Sequence, residues 1–199
     1  MDKRLRSVTF LELMIVLILM SVLVLSYHAI DIFTRHQVIS SSRIAKIQHD
    51  VSVALEHINK NAVLATGNEV AGGANTVVRA VVSQASFHID RTGHDSVADT
   101  WIAYRLNTTS HQIQFCPTCS SAACGTCTPT WGSDPVNLIS EHIVSFVPAK
   151  IHNPMAENFI NVTICACWNP NTGNCATPTV DNPCVTMDAR VYFPSISFN

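Results

Sequence analysis

Cysteine is the residue type whose spacing could carry chemistry. The chain has 199 residues and eight cysteines, all between Cys116 and Cys184. Cys116-Pro117-Thr118-Cys119 and Cys124-Gly125-Thr126-Cys127 form two CxxC pairs separated by four residues. Structural disulfides are the first reading, and nested bridges from Cys116 to Cys127 and from Cys119 to Cys124 would suit a hairpin-like loop. A zinc knuckle is the second, because four thiolates make a closed tetrahedral site; zinc ribbons usually have a longer loop between the pairs. A thioredoxin-like redox pair is the third, and it needs a thiolate at a helix N-terminus that the surrounding residues do not suggest. The second set, Cys165, Cys167, Cys175 and Cys184, brackets a loop rich in Pro, Asn and Gly. On a strand Cys165 and Cys167 point the same way, so each is expected to reach Cys175 or Cys184 rather than the other.

The remaining polar groups offer less. Asp90, Asp95 and Asp99 share a polar stretch with His88 and His94 but lack calcium-loop spacing, so a solvated loop is preferred to a cation site. His49 and His57 do not have HExxH spacing. No Ser/His/Asp order, phosphate-binding Gly-rich loop or paired-carboxylate motif stands out. The expectation is therefore a protein that is not an enzyme and needs no cofactor. Formal net charge is −2 and no basic run follows the leader, which argues against nucleic acid as a partner.

The other unusual group is Glu12, a lone carboxylate near the start of an apolar run that extends from Val8 to about Ile30. The run is long enough to cross the ~30 Å hydrocarbon core. A charge there costs several kcal/mol unless paired, and a plain anchor has no use for one. A secretory signal has a shorter apolar core and a small-residue cleavage site. Lys3, Arg4 and Arg6 place the leader in the cytoplasm and the rest of the chain outside it. That location favours disulfides among the cysteines.

Beyond the apolar run, Ile44, Ile47, Val51, Leu55 and Ile58 recur at spacings of three and four, with Arg43, Lys46, Asp50 and Glu56 off the stripe. The pattern predicts one uninterrupted helix to about Thr66, stopped at Gly67. Further on, residues 77–82, 86–90, 101–106, 112–115, 143–147, 159–167 and 185–193 read as strands, with a turn at 107–110. In the last two, Ile160, Val162, Ile164 and Ala166 form one face, and Val185, Met187, Ala189, Val191 and Phe193 another. Strands with short turns and no intervening helix argue an antiparallel sheet. The expected class is α+β: a long N-terminal helical spine, transmembrane in its first half, packed on an antiparallel β-sheet head. The expected segments are a leader at 1–7, a transmembrane helix at 8–30, its amphipathic continuation at 31–67 and a β-rich extracytoplasmic head at 68–199.

The stretch Ser7-Val8-Thr9-Phe10-Leu11-Glu12 resembles the processing signal of type IV prepilins and pseudopilins, usually Gly followed by Phe-Thr-Leu-Ile-Glu. Here Ser7 stands in place of the Gly and Val8 in place of the Phe. Asp50, Ala54-Leu55, Ile58 and Gly67 also resemble W-type minor pilins and J-type minor pseudopilins, though less specifically. The resemblance implies a structural subunit that initiates, caps or joins a type IV pilus or a type II secretion pseudopilus. It implies cleavage after Ser7, methylation of Val8, and pairing of Glu12 with the terminal amine of a neighbouring subunit. The partners implied are a prepilin peptidase, other pilins or pseudopilins, an inner-membrane assembly platform and membrane lipid. The implied location is the bacterial cytoplasmic membrane, single-pass with the head outside, and the filament after assembly. The competing reading is a membrane-anchored extracytoplasmic binding or thiol-redox module.

Overall fold

A 53-residue helix, α1 (Phe10–Ala62), opens the computed structural model, which describes residues 9–68, 78–89, 100–128, 130–131, 137–139, 142–153, 157–192 and 195–197. Its first turn is capped by Thr9: the Glu12 N–H donates to the Thr9 carbonyl at 3.1 Å and reaches Thr9 Oγ1 at 3.4 Å. Hydroxyls within the apolar part bond back to the helix itself. Ser21 Oγ donates to Ile18 O, Ser26 Oγ to Val22 O and Thr34 Oγ1 to Ile30 O, at 2.7–2.8 Å. Such bonds satisfy a hydroxyl where water is scarce.

The chain divides into two units, between Ser42 and Arg43. In the first, the described residues are all helix beyond Thr9, and large apolar side chains from Phe10 to Ile39 are exposed. This part of α1 is long and apolar enough to cross a membrane. The second unit holds the rest of α1 and the sheets. Every fully buried position of the helix lies here: Ile47, Val51, Ala54, Leu55, Ile58 and Ala62. Four of these are stripe positions, with Ala54 and Ala62 added; the fifth stripe position, Ile44, is half-buried, and Lys46 and Glu56 are exposed.

Among the described residues ten strands follow: β1 (Thr66–Asn68), β2 (Val78–Val81), β3 (Gln84–Ile89), β4 (Thr100–Asn107), β5 (Gln112–Cys119), β6 (Asn137–Ile139), β7 (Ile143–Asn153), β8 (Glu157–Cys167), β9 (Cys184–Tyr192) and β10 (Ser195–Ser197). Five form one antiparallel sheet in the order β2-β3-β4-β5-β6, and three form another in the order β7-β8-β9. The Ser83 N–H donates to Phe146 O at 3.1 Å and the Ile143 N–H to His111 O at 3.0 Å, linking the two sheets. One core lies between α1 and both sheets, with Phe87, Tyr104, Phe146, Ile58 and Ile164 fully buried. The protein is thus α+β, an N-terminal helix packed on antiparallel sheets.

The β8 face predicted to be apolar is buried throughout, from Ile160 to Ala166. Along β9, Val185, Met187 and Ala189 are half-buried and Val191 buried, while Thr186, Asp188, Arg190 and Tyr192 are exposed. Phe193 lies outside the described residues, as does Val77. The sequence reading also missed three short strands. β1 and β10 pair in parallel, a contact between distant segments that no local pattern announces.

The helix ends earlier than expected. It stops at Ala62, and Gly67 lies in β1 opposite Ile196 instead of capping the helix. The Asn61 side-chain amide donates back to the His57 carbonyl at 2.9 Å within the last turn. Leu64 and Ala65 then bond three residues back, and Ala65 bridges to Ile89 of the sheet. Sheet pairing therefore outweighs helix propensity here. β5 also runs to Cys119, past the expected end at Phe115. A register break opposite Trp101–Ala103 accommodates Pro117, which has no N–H for a regular ladder.

Candidate functional site

The eight cysteines form four disulfides. Cys116 bonds Cys127 and Cys119 bonds Cys124, with Cα separations of 5.8 and 5.2 Å. This is the nested pairing. Cys119 and Cys127 also form an antiparallel bridge, and the Thr128 N–H donates to Thr118 O at 3.0 Å, so the loop closes as an extension of β5. Trp131 seals it: its indole N–H donates to Cys124 O at 3.2 Å, and the Arg105 guanidinium lies 4.0 Å from its ring centroid. Gln84 donates to Ala123 O at 2.9 Å.

In the second set Cys165 bonds Cys175 and Cys167 bonds Cys184. Cys167 and Cys184 are direct cross-strand partners of β8 and β9, 4.0 Å apart at Cα. A Cβ added at Gly173 would lie 2.5 Å from Cys167 Cβ and 2.9 Å from Asn169 O, so only glycine lets the loop pass over this bridge. Asn182 ties the loop base: its Oδ1 accepts from Asn169 N–H at 2.7 Å and its amide donates to Asn169 O at 3.0 Å. Zinc binding and thiol exchange both require thiolates. With every sulfur bonded, those thiolates exist only after reduction. Cys116, Cys119 and Cys124 are near enough to one another to make a reduced site geometrically possible.

Glu12 lies exposed in the first helical turn, among exposed Leu11 and Leu13. Among the described residues the ion pair that forms is Arg35–Asp31, 3.0 Å apart within the helix, and it does not involve Glu12. Ser7 and Val8 lie outside the described residues. A further sequence signal sits here: Thr9-x-x-Glu12 has the form of a capping box, in which the carboxylate at the third helical position faces the N-cap backbone. The half of that box that forms here is the bond from the Glu12 backbone N–H to Thr9 Oγ1.

Most of the polar loop lies outside the described residues. Asp90, His94, Asp95 and Asp99 lie outside them, while His88 stacks on Trp101 with centroids 4.6 Å apart. His49 is exposed. His57, well beyond the apolar stretch of α1, is part of a polar knot against the sheet. Its Nδ1 is 2.9 Å from the Tyr104 hydroxyl and its ring packs edge-on to Phe115. Asn61 Nδ2 is 3.2 Å from the same nitrogen. Burial, and then the Lys60 charge, hold the His57 pKa below its ordinary value; burial holds that of Tyr104 above. Since the folded pKa of His57 is lowered, the unfolded chain binds more protons as pH falls. Its effect on stability is absent well above pH ~6.5, sets in as pH drops through that unfolded value and levels off below the folded pKa. A His57→Gln variant is expected to lose this part of the acid sensitivity in chemical melts at a series of pH values. An unchanged slope would show that other groups cause it.

The chain matches no protein-family model, and comparison with curated proteins and with solved structures finds no match.

Proposed function

We propose that this chain is a minor pilin or pseudopilin, a structural subunit held in the membrane by α1 and built into, or capping, a type IV pilus or type II secretion pseudopilus. The observation that carries the reading is Glu12: a carboxylate in the first turn of a helix that is predominantly apolar and exposed from there to about Ile30, with no ion-pair partner among the described residues. In an apolar filament core a neighbour's terminal amine supplies the partner. A misplaced subunit then leaves two charges unpaired, so the pair also sets register. The implied order of events is insertion, cleavage after Ser7 with methylation of Val8, and extraction of the subunit into the filament.

The alternative, an anchored extracytoplasmic binding or redox module, would leave Glu12 only the capping-box role that its spacing from Thr9 allows. Glutamine serves a capping box as well as glutamate but carries no charge. Glu12→Gln is therefore the discriminating variant. The filament reading expects normal membrane insertion, mature chains that begin with methylated Val8 by mass spectrometry, and incorporation of the variant into sheared filaments reduced by roughly 100-fold, the scale of breaking a buried ion pair. Equal incorporation of Glu12→Gln and the parent, or an intact leader in cells with active peptidase, would favour the anchored module.

A further inference from the structure

β9 is an outer strand of the three-stranded sheet, with β8 on its inner side. The bonds at the end of β8 fix which of its backbone groups face outward. The Cys167 N–H donates to His142 O at 2.9 Å, on the β7 side, and the Trp168 N–H to Pro183 O at 3.0 Å, on the β9 side. Alternate residues of an antiparallel strand bond to opposite neighbours. Ala166, Ile164, Val162 and Ile160 therefore bond to β9, through their register partners Val185, Met187, Ala189 and Val191. Cys167 and Cys184 are a non-bonded pair by the same alternation, which fits their Cα separation of 4.0 Å. The N–H and C=O groups of Thr186, Asp188, Arg190 and Tyr192 then point away from β8. Among the described residues no backbone group meets them.

An open edge of this kind invites another strand, and proteins blunt such edges by short strands, proline or irregular register. The other outer strands of the two antiparallel sheets carry these devices. β2 and β6 have four and three residues. β7 contains Pro148 and a register break between Ile143 and Ser145. β9 has none of them: its nine residues contain no proline and pair with β8 in unbroken register.

We infer that two copies of this chain join edge to edge through β9, antiparallel, about a two-fold axis at Ala189, making one continuous sheet of both copies. Residues with outward backbone groups must lie opposite each other, so the axis falls on a residue and not between two. With the axis at Ala189, Asp188 lies opposite Arg190 of the second copy and Thr186 opposite its Tyr192. Each pair exchanges both N–H···O bonds, and symmetry repeats each pair. Moving the axis to Asp188 sets that carboxylate against its own copy, and moving it to Arg190 sets two guanidinium groups together. Opposite charges across a pair of strands stabilise it and like charges destabilise it, so the charges select the Ala189 register over both neighbours.

Both charges have capacity for this contact. Asp188 Oδ1 accepts from Thr163 Oγ1, and the Arg190 guanidinium lies 5.2 Å from the Phe159 ring centre. Both side chains are exposed, and among the described residues neither has an ion-pair partner. The inference stands apart from the filament reading, since it makes no use of Glu12; Glu12→Gln is expected to leave the dimer intact.

The test is sedimentation of the full chain in density-matched detergent over a series of concentrations, where a reversible dimer is expected. Asp188→Arg and Arg190→Asp each set like charges opposite at both symmetric positions. Each is expected to weaken the dimer by about tenfold or more. Combining the two substitutions in one chain restores opposite charges and is expected to recover the parent's affinity. An equimolar mixture of the two single variants should also associate, because every pair between positions 188 and 190 is then of opposite sign. Thr186→Pro keeps both charges but removes an outward N–H that bonds nothing within the chain, and it too is expected to weaken the dimer. Near-ultraviolet circular dichroism of each variant must match the parent. A parent that stays monomeric to roughly 100 μM overturns the inference and leaves the edge to a strand of another protein. Association that neither single reversal weakens also overturns it, since the contact would then lie elsewhere, as in the apolar stretch of α1. So does a mixture of the single variants that associates no better than its components.

Discussion

Replacing Cys167 and Cys184 together with alanine is expected to lower the stability of the head by about 3 kcal/mol, as expected for releasing a loop of this length. The bridge joins the ends of β8 and β9 and closes the loop that carries Trp168, so its loss frees a long segment in the unfolded chain and unpins Gly173 in the folded one. Urea melts of the full chain in detergent report it directly, because Trp101, Trp131 and Trp168 all lie in the second unit. A change below ~0.5 kcal/mol would mean that the strand pairing alone holds the loop.

What the sequence made legible follows from how local each cause is. The stripe on α1 and the alternation on β8 depend on side-chain spacing within one element, so Ile47 to Ile58 and Ile160 to Ala166 could be assigned to the core without knowing what covers them. The CxxC spacing suggested the nested pairing, since Cys119 and Cys124 are too close in sequence for much else. At the second set the spacing left two partners open, and the register of β8 with β9 decides between them by bringing Cys167 opposite Cys184. The end of α1 was misjudged because its cause is distant: the backbone leaves the helix to bridge Ile89. A cleft lined by Arg43, Ser110, His142 and Trp168 has no sign in the sequence for the same reason: these residues come from segments far apart in the chain.

The other large effect separates the two units. Phe87 is fully buried on β3 of the five-stranded sheet, opposite Ile102 of β4, with its ring edge-on to Tyr104 at 6.1 Å. Phe87→Ala removes that side chain and leaves a cavity between α1 and the sheet, expected to cost about 3–5 kcal/mol. That is a large share of the stability of a domain of this size. The expected result is a head that melts early or is degraded while the chain still enters the membrane, because no residue of the apolar stretch contributes to that core. Leu19→Arg is its mirror image. Leu19 is exposed in the apolar part of α1, and an arginine at mid-membrane costs about 3 kcal/mol of insertion. This variant should partition poorly into membranes while the head keeps its melting transition. Protease sensitivity of the head and carbonate extraction of the membrane fraction, measured on both variants, give the two readouts. If Phe87→Ala abolished insertion, or if Leu19→Arg destabilised the head as much as Phe87→Ala does, the division between an apolar anchoring stretch and a self-sufficient head would be wrong, and with it the physical basis for a subunit that can be drawn from lipid without unfolding.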